Sequence, residues 1–421
     1  MPFKSTARNA FSSPFSSSFT NCFFVDPYLL NYNFLNGFPA ALTHTRASNA
    51  TYINYSGSVA TASSNVPRIT HDKDGNALGY LHEPQGTNLQ TVSTPSRSGS
   101  PWWGETNITF TPNASVSPSG ATDAVAVVAT AASTTLHYMT RGYTAPSADT
   151  VMTMSLYAKA GAVNFLRLAL DSSSRAKSVF NLTDGSIVST GSKHVSSYAE
   201  DVGNGWWRCV LVGETSGSGN FIAYAHDDLN GTTAWAGDGS ATSISVWGAQ
   251  VEEGTAATSL IPTTGAQATR QADAVSGTIA IPAGEWSMVM DTTPLAAVAT
   301  LEYFLHMAGP SAGPTLDLLR IQSASFRLGE SSSGSNIDVQ VGVDVTLSPH
   351  SYGLSIDESG NYSIAVDGVA LKTDTSSTMG EAPPLTSFEL SASSYLTPQI
   401  VERFRMFRNY KTAAELITLT T

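Results

Sequence analysis

Paired carboxylates are the first chemistry to look for in this chain. Asp227-Asp228 and Glu252-Glu253 are adjacent acids, and a polysaccharide hydrolase needs two carboxyl groups about 5–10 Å apart across a cleft. Neighbouring side chains on a strand point to opposite faces, so adjacency does not make such a dyad. Asp227-Asp228 reads as a solvated turn, and Glu252-Glu253 reads as structural. There is no G-x-S-x-G elbow. The eight histidines show no H-x-x-x-H spacing, and SGSGN at 216–220 is a Gly/Ser turn rather than a phosphate cradle. The expectation is a protein that is not an enzyme. A polysaccharide depolymerase whose carboxylates converge from distant strands is the alternative.

Sugar binding asks for different residues: flat aromatic faces for the apolar side of a pyranose, with amides and carboxylates for its hydroxyls. Three stretches supply both. Trp102-Trp103 stand beside Gly104 and Glu105. Trp206 lies by Asn204 and Arg208. Trp235 lies in HDDLNGTTAWAGDG, close to His226, Asp227, Asp228 and Asn230. Each has a plainer reading as packing, and Trp102 or Trp103 is the best ligand candidate. In GNGWWRCVLVG (203–213), alternation puts Trp207 on the apolar face with Cys209 and Leu211. Trp206 then shares the opposite face with Arg208, where stacking between the two is a common structural pairing. That face needs a second layer, and a subunit interface and a glycan have equal claims on it.

Strands must position these residues. VMTMSLYAKA (151–160) alternates, with Met152, Met154, Leu156 and Ala158 on one face. In NFLRLAL (164–170), Leu166, Leu168 and Leu170 oppose Phe165, Arg167 and Ala169. FIAYAH (221–226) and SISVWGAQV (243–251) follow, separated by turns rich in Gly, Asn and Asp. Short strands at close spacing, without helical periodicity, predict a sandwich or jelly roll over 96–272. Residues 273–421 repeat the theme. Asp367-Gly368 in YSIAVDGVAL is a hairpin signal, and Thr412 and Glu415 have capping-box spacing for one short C-terminal helix. Residues 26–95 read as a small β connector or wrap, with a hairpin turn at Asp74-Gly75. Residues 1–25 form a Ser/Phe-rich arm whose Phe11, Phe15 and Phe19 suit docking into pockets of another protein. The expected fold is all-β: tandem β-sandwich and jelly-roll domains, an extended N-terminal arm and one short C-terminal helix.

Composition excludes several partners. Hydrophobic residues make up 41% of the 421 residues and charged residues 13%, against a usual charged share of about 25%. The net charge is −12, and no basic stripe is present to displace the counterions of a nucleic acid. An anionic membrane surface is disfavoured for the same reason, and no apolar run approaches the ~20 residues of a membrane span. The first twenty residues lack a continuous apolar core, so a secretory signal is not expected and assembly in a bacterial cytoplasm is. Cys22 and Cys209 suggest neither a disulfide framework nor a metal site.

RASNATY (46–52), NVPR (65–68) and GYLHEPQGTNL (79–89) resemble a module common near the N-termini of phage fibre and virion-surface proteins. Gly86 stands where that family often has Arg. EDVGNGWWRC and the long segment 247–273, ending TRQAD, resemble the closing half of the jelly roll that follows in those proteins, a domain similar to carbohydrate-binding modules. The C-terminal hairpin with FRMFRNYKTAAEL resembles a concanavalin or laminin-G sandwich. The resemblance implies a head-spike or tail fibre on the particle surface of a phage or gene transfer agent, with a head-spike fibre the specific expectation. It further implies homo-oligomers, commonly trimers, that attach to host capsular polysaccharide. The N-terminal arm would anchor to a capsid, spike-base or tail protein. A structural decoration without a ligand is a further alternative. Jelly rolls of this kind often hold a structural calcium, for which Asp123, Gln250 and Glu252 are candidate ligands if the first and last strands pair. The simpler reading of those three is hydrogen-bonded side chains.

Overall fold

The computed structural model describes residues 28–95, 103–131, 135–145, 147, 149–171, 175–215, 219–228, 234–281, 283–295, 302–308, 315–321, 325–330, 339–342, 348–374, 384–390 and 398–421. The arm residues Phe11, Phe15 and Phe19, and also Trp102 and Asn230, lie outside the described residues. The described chain is nearly all strand, with one α-helix at Ala413–Leu419.

The central jelly roll is two six-stranded antiparallel sheets. One runs His194–Asp201, Trp206–Glu214, Val151–Ala160, Ile244–Glu253, Ala124–Ala129, Ile108–Ser115. The other runs Ile187–Thr190, Lys177–Asn181, Phe165–Ala169, Gly219–His226, His137–Tyr143, Gly104–Thr106. Alternation decides what lies between them. Met152, Met154, Leu156 and Ala158 face Leu166, Leu168, Phe221 and Ala223 in one continuous core, while Ala169 joins Ile222 and Tyr224 on the outer face. Burying each large side chain contributes about 1.5–3 kcal/mol, so the period-2 pattern fixes the register of both sheets.

The GNG turn joins two strands of the first sheet. Gly203, Asn204 and Gly205 all have positive φ, at 83°, 54° and 76°, a run that Gly and Asn tolerate best. Trp206 and Trp207 then part company as alternation requires. Trp207 packs against the jelly-roll core and lies flat on Gly185, where an added Cβ would sit 2.3 Å from the indole. Trp206 is buried on the other face with Tyr157, Trp247 and Leu260. Its indole N–H donates to Val116 O at 3.1 Å. The second layer over Trp206 is therefore built by this same chain.

The C-terminal sandwich pairs an eight-stranded sheet with a seven-stranded one. Trp286, Met288, Met290, Leu354, Ile356, Phe388, Phe404 and Met406 fill the space between them. Residues 28–95 have no sheet large enough to stand alone; they are distributed over their neighbours. Tyr28–Asn33 and Ala77–His82 both pair with Gln399–Phe407, and Thr43–Thr45 pairs with Ala274–Ile281. Gly86–Asn88 pairs with Ala268–Arg270 at the exit from the jelly roll. The Asp367-Gly368 hairpin forms, with Val366 opposite Val369. The helix starts as its sequence dictates: Thr412 N–H donates to Glu415 Oε2 at 2.8 Å and Glu415 N–H to Thr412 Oγ1 at 3.3 Å.

Candidate functional site

Residues 28–95 thread between the two sandwiches, and where they do so a knot of charge is buried. Arg46, Arg68, Glu83, Arg270 and Asp273 are each at most 1% exposed. Arg68 is the hub. Its Nη1 donates to Glu83 Oε2 at 2.6 Å and to Thr51 O at 2.8 Å, and its Nη2 donates to Asp273 Oδ2. Arg46 Nη1 reaches Asp273 Oδ1 at 2.9 Å, and Arg46 Nη2 holds Ser63 O at 2.8 Å. Ser259 donates to Glu83 through both its amide, at 2.6 Å, and its hydroxyl, at 2.7 Å. The connector, the jelly-roll exit and the start of the C-terminal sandwich thus meet at one point. Buried charge costs least when its donors and acceptors are met; these carboxylates are met several times over, while Arg68 Nε and Arg270 Nε and Nη2 make no hydrogen bond and Arg270 faces Glu83 at 3.6 Å.

The ionisation states follow. Burial alone would raise the Glu83 carboxyl, but Arg270, Arg68 and the two Ser259 bonds outweigh it and hold Glu83 down to about 2. Asp273 is also lowered, because Arg68 and its neighbours outweigh burial. Burial pulls His44 and His82 down to about 4, so both are neutral at pH 7. Neutral His44 then accepts from Arg46 Nη1 at 3.4 Å, and its Nδ1 lies 3.0 Å from the Tyr80 hydroxyl.

Directly above the knot is a cleft of about 480 Å³. Glu83 and Ser259 line its floor, so it shares a wall with the buried charges. Ile53, Val59, Leu78, Leu81, Leu260 and Ile400 make the rest of the interior apolar. One side is the outer face of the first jelly-roll sheet, presenting Tyr157, Tyr198, Glu200, Asp201 and Arg208. The other side is the connector, presenting Tyr52, His71 and the turn Asp72-Lys73-Asp74. Arg208 sits 5.6 Å from the Tyr157 ring centroid, donates to Thr258 O and lies 3.8 Å from Glu200. Lys73 Nζ is 2.9 Å from Asp74 Oδ2. A concave apolar interior with half-buried Tyr52 and Tyr198, a buried Tyr157 and a polar rim suits a ligand with one apolar face and many hydroxyls.

The residues singled out by sequence fall elsewhere. Trp103 is 1% exposed, donates from its indole to Val92 O at 3.1 Å and stands edge-on to Phe221 at 5.1 Å. It is a core residue, which corrects the expectation of an exposed sugar platform. Trp206 is corrected likewise, because its ring is enclosed by Val116, Tyr157 and Trp247. Trp235 is half-buried, with its N–H bonded to Ala225 O at 3.1 Å and its ring 4.6 Å from His137. His226 is fully buried on the outer face of the second sheet, in a row with Tyr224 and Arg167, whose Cζ lies 4.2 Å from the Tyr224 centroid. Burial, then Arg167, lowers His226 to about 4. Asp227 is exposed and Asp228 half-buried beside it. These four do not converge on the cleft.

Of the three calcium candidates, Gln250 and Glu252 are bonded to each other, while Asp123 Oδ1 is buried without a hydrogen-bond partner. Gln250 Nε2 donates to Glu252 Oε2 at 2.7 Å, and Glu252 also accepts from the Thr258 amide at 2.9 Å and hydroxyl at 2.6 Å. Gln250 Oε1 accepts from Ile261 N–H at 2.6 Å. Their oxygens are engaged with protein donors, and Asp123 makes no hydrogen bond to either. Among the described residues, no group of three or more His, Cys, Asp and Glu gathers as a metal site would require. Of the adjacent acids, Glu252 is buried and Glu253 exposed, as strand alternation demands.

One nucleophile-like arrangement exists at the far edge of the C-terminal sandwich. His350 Nδ1 lies 2.7 Å from Asp367 Oδ2, and His350 Nε2 lies 3.4 Å from Ser348 Oγ. Acyl transfer also needs amide donors left free for the oxyanion. Among the described residues, three amides beside this group are spent: Ser351 N–H on Asp367 Oδ1, Asp367 N–H on Ser351 O, and Gly368 N–H on Thr420 Oγ1.

No protein-family model matches the chain, and no curated protein does. Among solved structures, it is similar to the carbohydrate-binding module CBM40 of the Ruminococcus gnavus IT-sialidase, at 13% identity over 34% of this chain and 97% of that one, with a TM-score of 0.28. It is also similar to the SAP-like pentraxin of Limulus polyphemus, at 10% identity over 34% of this chain and 72% of that one, with a TM-score of 0.29. The binding domain of botulinum neurotoxin DC, solved in complex with rat synaptotagmin II, shares 11% identity over 35% of this chain and 40% of its own, with a TM-score of 0.30.

Proposed function

We propose that the protein is a non-enzymatic glycan-binding fibre on the surface of a phage or phage-like particle, and that the interdomain cleft is its glycan site. The observation that carries this reading is the cleft itself: about 480 Å³, apolar inside, flanked by Tyr52, Tyr157 and Tyr198, and rimmed by carboxylates and Lys73. Aliphatic and tyrosine faces take the apolar side of a sugar ring, and rim groups take its hydroxyls. The segments 46–52, 65–68, 79–89 and 247–273 support the virion setting through their resemblance to fibre proteins. In that setting the protein is a homo-oligomer, with trimers the family's common form, held to the particle by its N-terminal arm and attached to host capsular polysaccharide.

The test is a glycan array and capsule pull-down with the full chain and with Tyr52→Ala and Tyr198→Ala. The expected result is binding to capsule that weakens about tenfold in either variant, without release of reducing ends. Blank arrays, together with normal adsorption of particles lacking the protein, would overturn the reading. Reducing-end release would move it to a depolymerase.

A further inference from the structure

We infer that the cleft takes a neutral glycan, and that Arg208 and Glu200 together read two adjacent hydroxyls of its ring. The inference rests on the cleft being the glycan site and names the substrate class of that site. Glu200 is the cross-strand partner of Arg208, and Arg208 is the partner of Tyr157 on the next strand. Residues directly opposite on an antiparallel pair share a face, so Glu200, Arg208 and Tyr157 form one row across the first jelly-roll sheet. Tyr198, two residues before Glu200, stands on the same face. All four line the cleft.

Arg208 is the member whose bonding is incomplete. Its side chain is 8% exposed, and Tyr157 lies 5.6 Å from its guanidinium carbon. Among the described residues, only Nη2 is bonded, to Thr258 O. Nε is buried without a partner, and Nη1 has only Glu200 Oε2, at 3.8 Å. That separation is too long for a hydrogen bond. Donors left unmet in a buried group are costly, so the guanidinium is short of acceptors. Glu200 faces it with its side chain 46% exposed. The pair thus sets a charged donor beside a charged acceptor, with signs that cancel. A sugar carboxylate placed on Arg208 would also face Glu200, and a sugar amine placed on Glu200 would also face Arg208. Two adjacent hydroxyls satisfy both partners at once. One accepts from Arg208 Nη1 and the next donates to Glu200 Oε2, each through a charge-assisted bond. The apolar side of the same ring is left for Tyr198 and the aliphatic wall.

Four polymers separate these features. Dextran and deacetylated glucomannan keep adjacent free hydroxyls on their rings. Linear β-1,3-glucan keeps none on its internal rings, and polymannuronate keeps the adjacent pair but adds a carboxylate. Binding of each to the full chain is measured by calorimetry, with Glu200→Ala and Arg208→Lys alongside. The lysine keeps the charge and loses the planar fork. The inference expects dextran or glucomannan to bind at least about tenfold tighter than β-1,3-glucan and polymannuronate. Either substitution should remove most of that preference, and the exposed Glu200→Ala should do so with an unchanged unfolding midpoint. Equal or absent binding of the three neutral polymers, while other glycans bind on the array, would overturn the inference. So would a preference for polymannuronate, which would make Arg208 an anion anchor, or a neutral preference that survives in Glu200→Ala. Each of these results leaves a glycan site standing. A blank array together with four silent polymers would bring down the glycan reading itself, and the inference with it.

Discussion

Two neighbouring regions use the same residue types to opposite ends. The knot of Arg46, Arg68, Arg270, Glu83 and Asp273 and the rim of Lys73, Asp74, Glu200, Asp201 and Arg208 share a wall at Glu83 and Ser259. In the knot every carboxylate oxygen is met by arginine, serine or backbone donors. At the rim Asp74 and Glu200 keep side chains 65% and 46% exposed. A charge pair is worth far more in a dry interior than in water, and a broken one costs correspondingly more. The knot therefore ties the connector, the jelly-roll exit and the start of the C-terminal sandwich to one another, and the rim keeps Asp74 and Glu200 in contact with solvent.

The largest effect should come from breaking the knot. Arg68→Ala leaves Glu83 and Asp273 buried without their main partner, and should lower stability by about 3–5 kcal/mol in urea unfolding. A loss below about 1 kcal/mol would erase the contrast between the regions.

Acid should act on the knot next. Glu83 has a folded value of about 2 against about 4.5 unfolded, so its contribution is complete above pH 4.5 and is lost as pH falls toward 2. His44 and His82 fall to about 4 from 6.5, so the unfolded chain takes up protons first. Their contribution is complete above pH 6.5 and fades as pH falls to 4. Urea midpoints should drop steadily from pH 7 to pH 3, and the Glu83→Gln variant should flatten the part below pH 4.5. A profile level down to pH 3 would mean that these groups are not paired as described.

Smaller effects belong to the rim. Glu200→Gln should alter ligand affinity and its salt dependence while shifting the unfolding midpoint little, since exposed pairs contribute 0–1 kcal/mol at the median. Lys73→Ala, which removes an exposed pair, should leave the unfolding midpoint unchanged within error. A large loss of stability in either variant would show that the rim is part of the knot.

Much of this architecture was legible in the sequence. Met152, Met154, Leu156 and Ala158 on one face, Trp207 with the core, the Asp367-Gly368 hairpin and the Thr412–Glu415 box all follow from local pattern. The partners of residues 28–95 were not legible, because a strand of three to six residues carries no record of which edge it joins. The candidate cleft was not legible for a related reason. Tryptophan is the conspicuous sugar-stacking residue, but in this chain Trp103, Trp206 and Trp286 are buried bulk, while the candidate cleft is lined by tyrosines spread over 52–198. A usable signal was present. In a chain with 13% charged residues, the arginines and acids of RASNATY, NVPR, HEP and TRQAD each required a partner. Those partners are one another.

The sequence by itself determined the strand pattern, the jelly-roll core and the terminal helix, because side-chain alternation and capping act within a few residues. Only the tertiary structure decided that Arg46, Arg68, Glu83, Arg270 and Asp273 meet, and that a cleft opens beside them. Both depend on contacts between segments up to 227 residues apart, whose closure is governed by how the two sandwiches pack and not by any local preference.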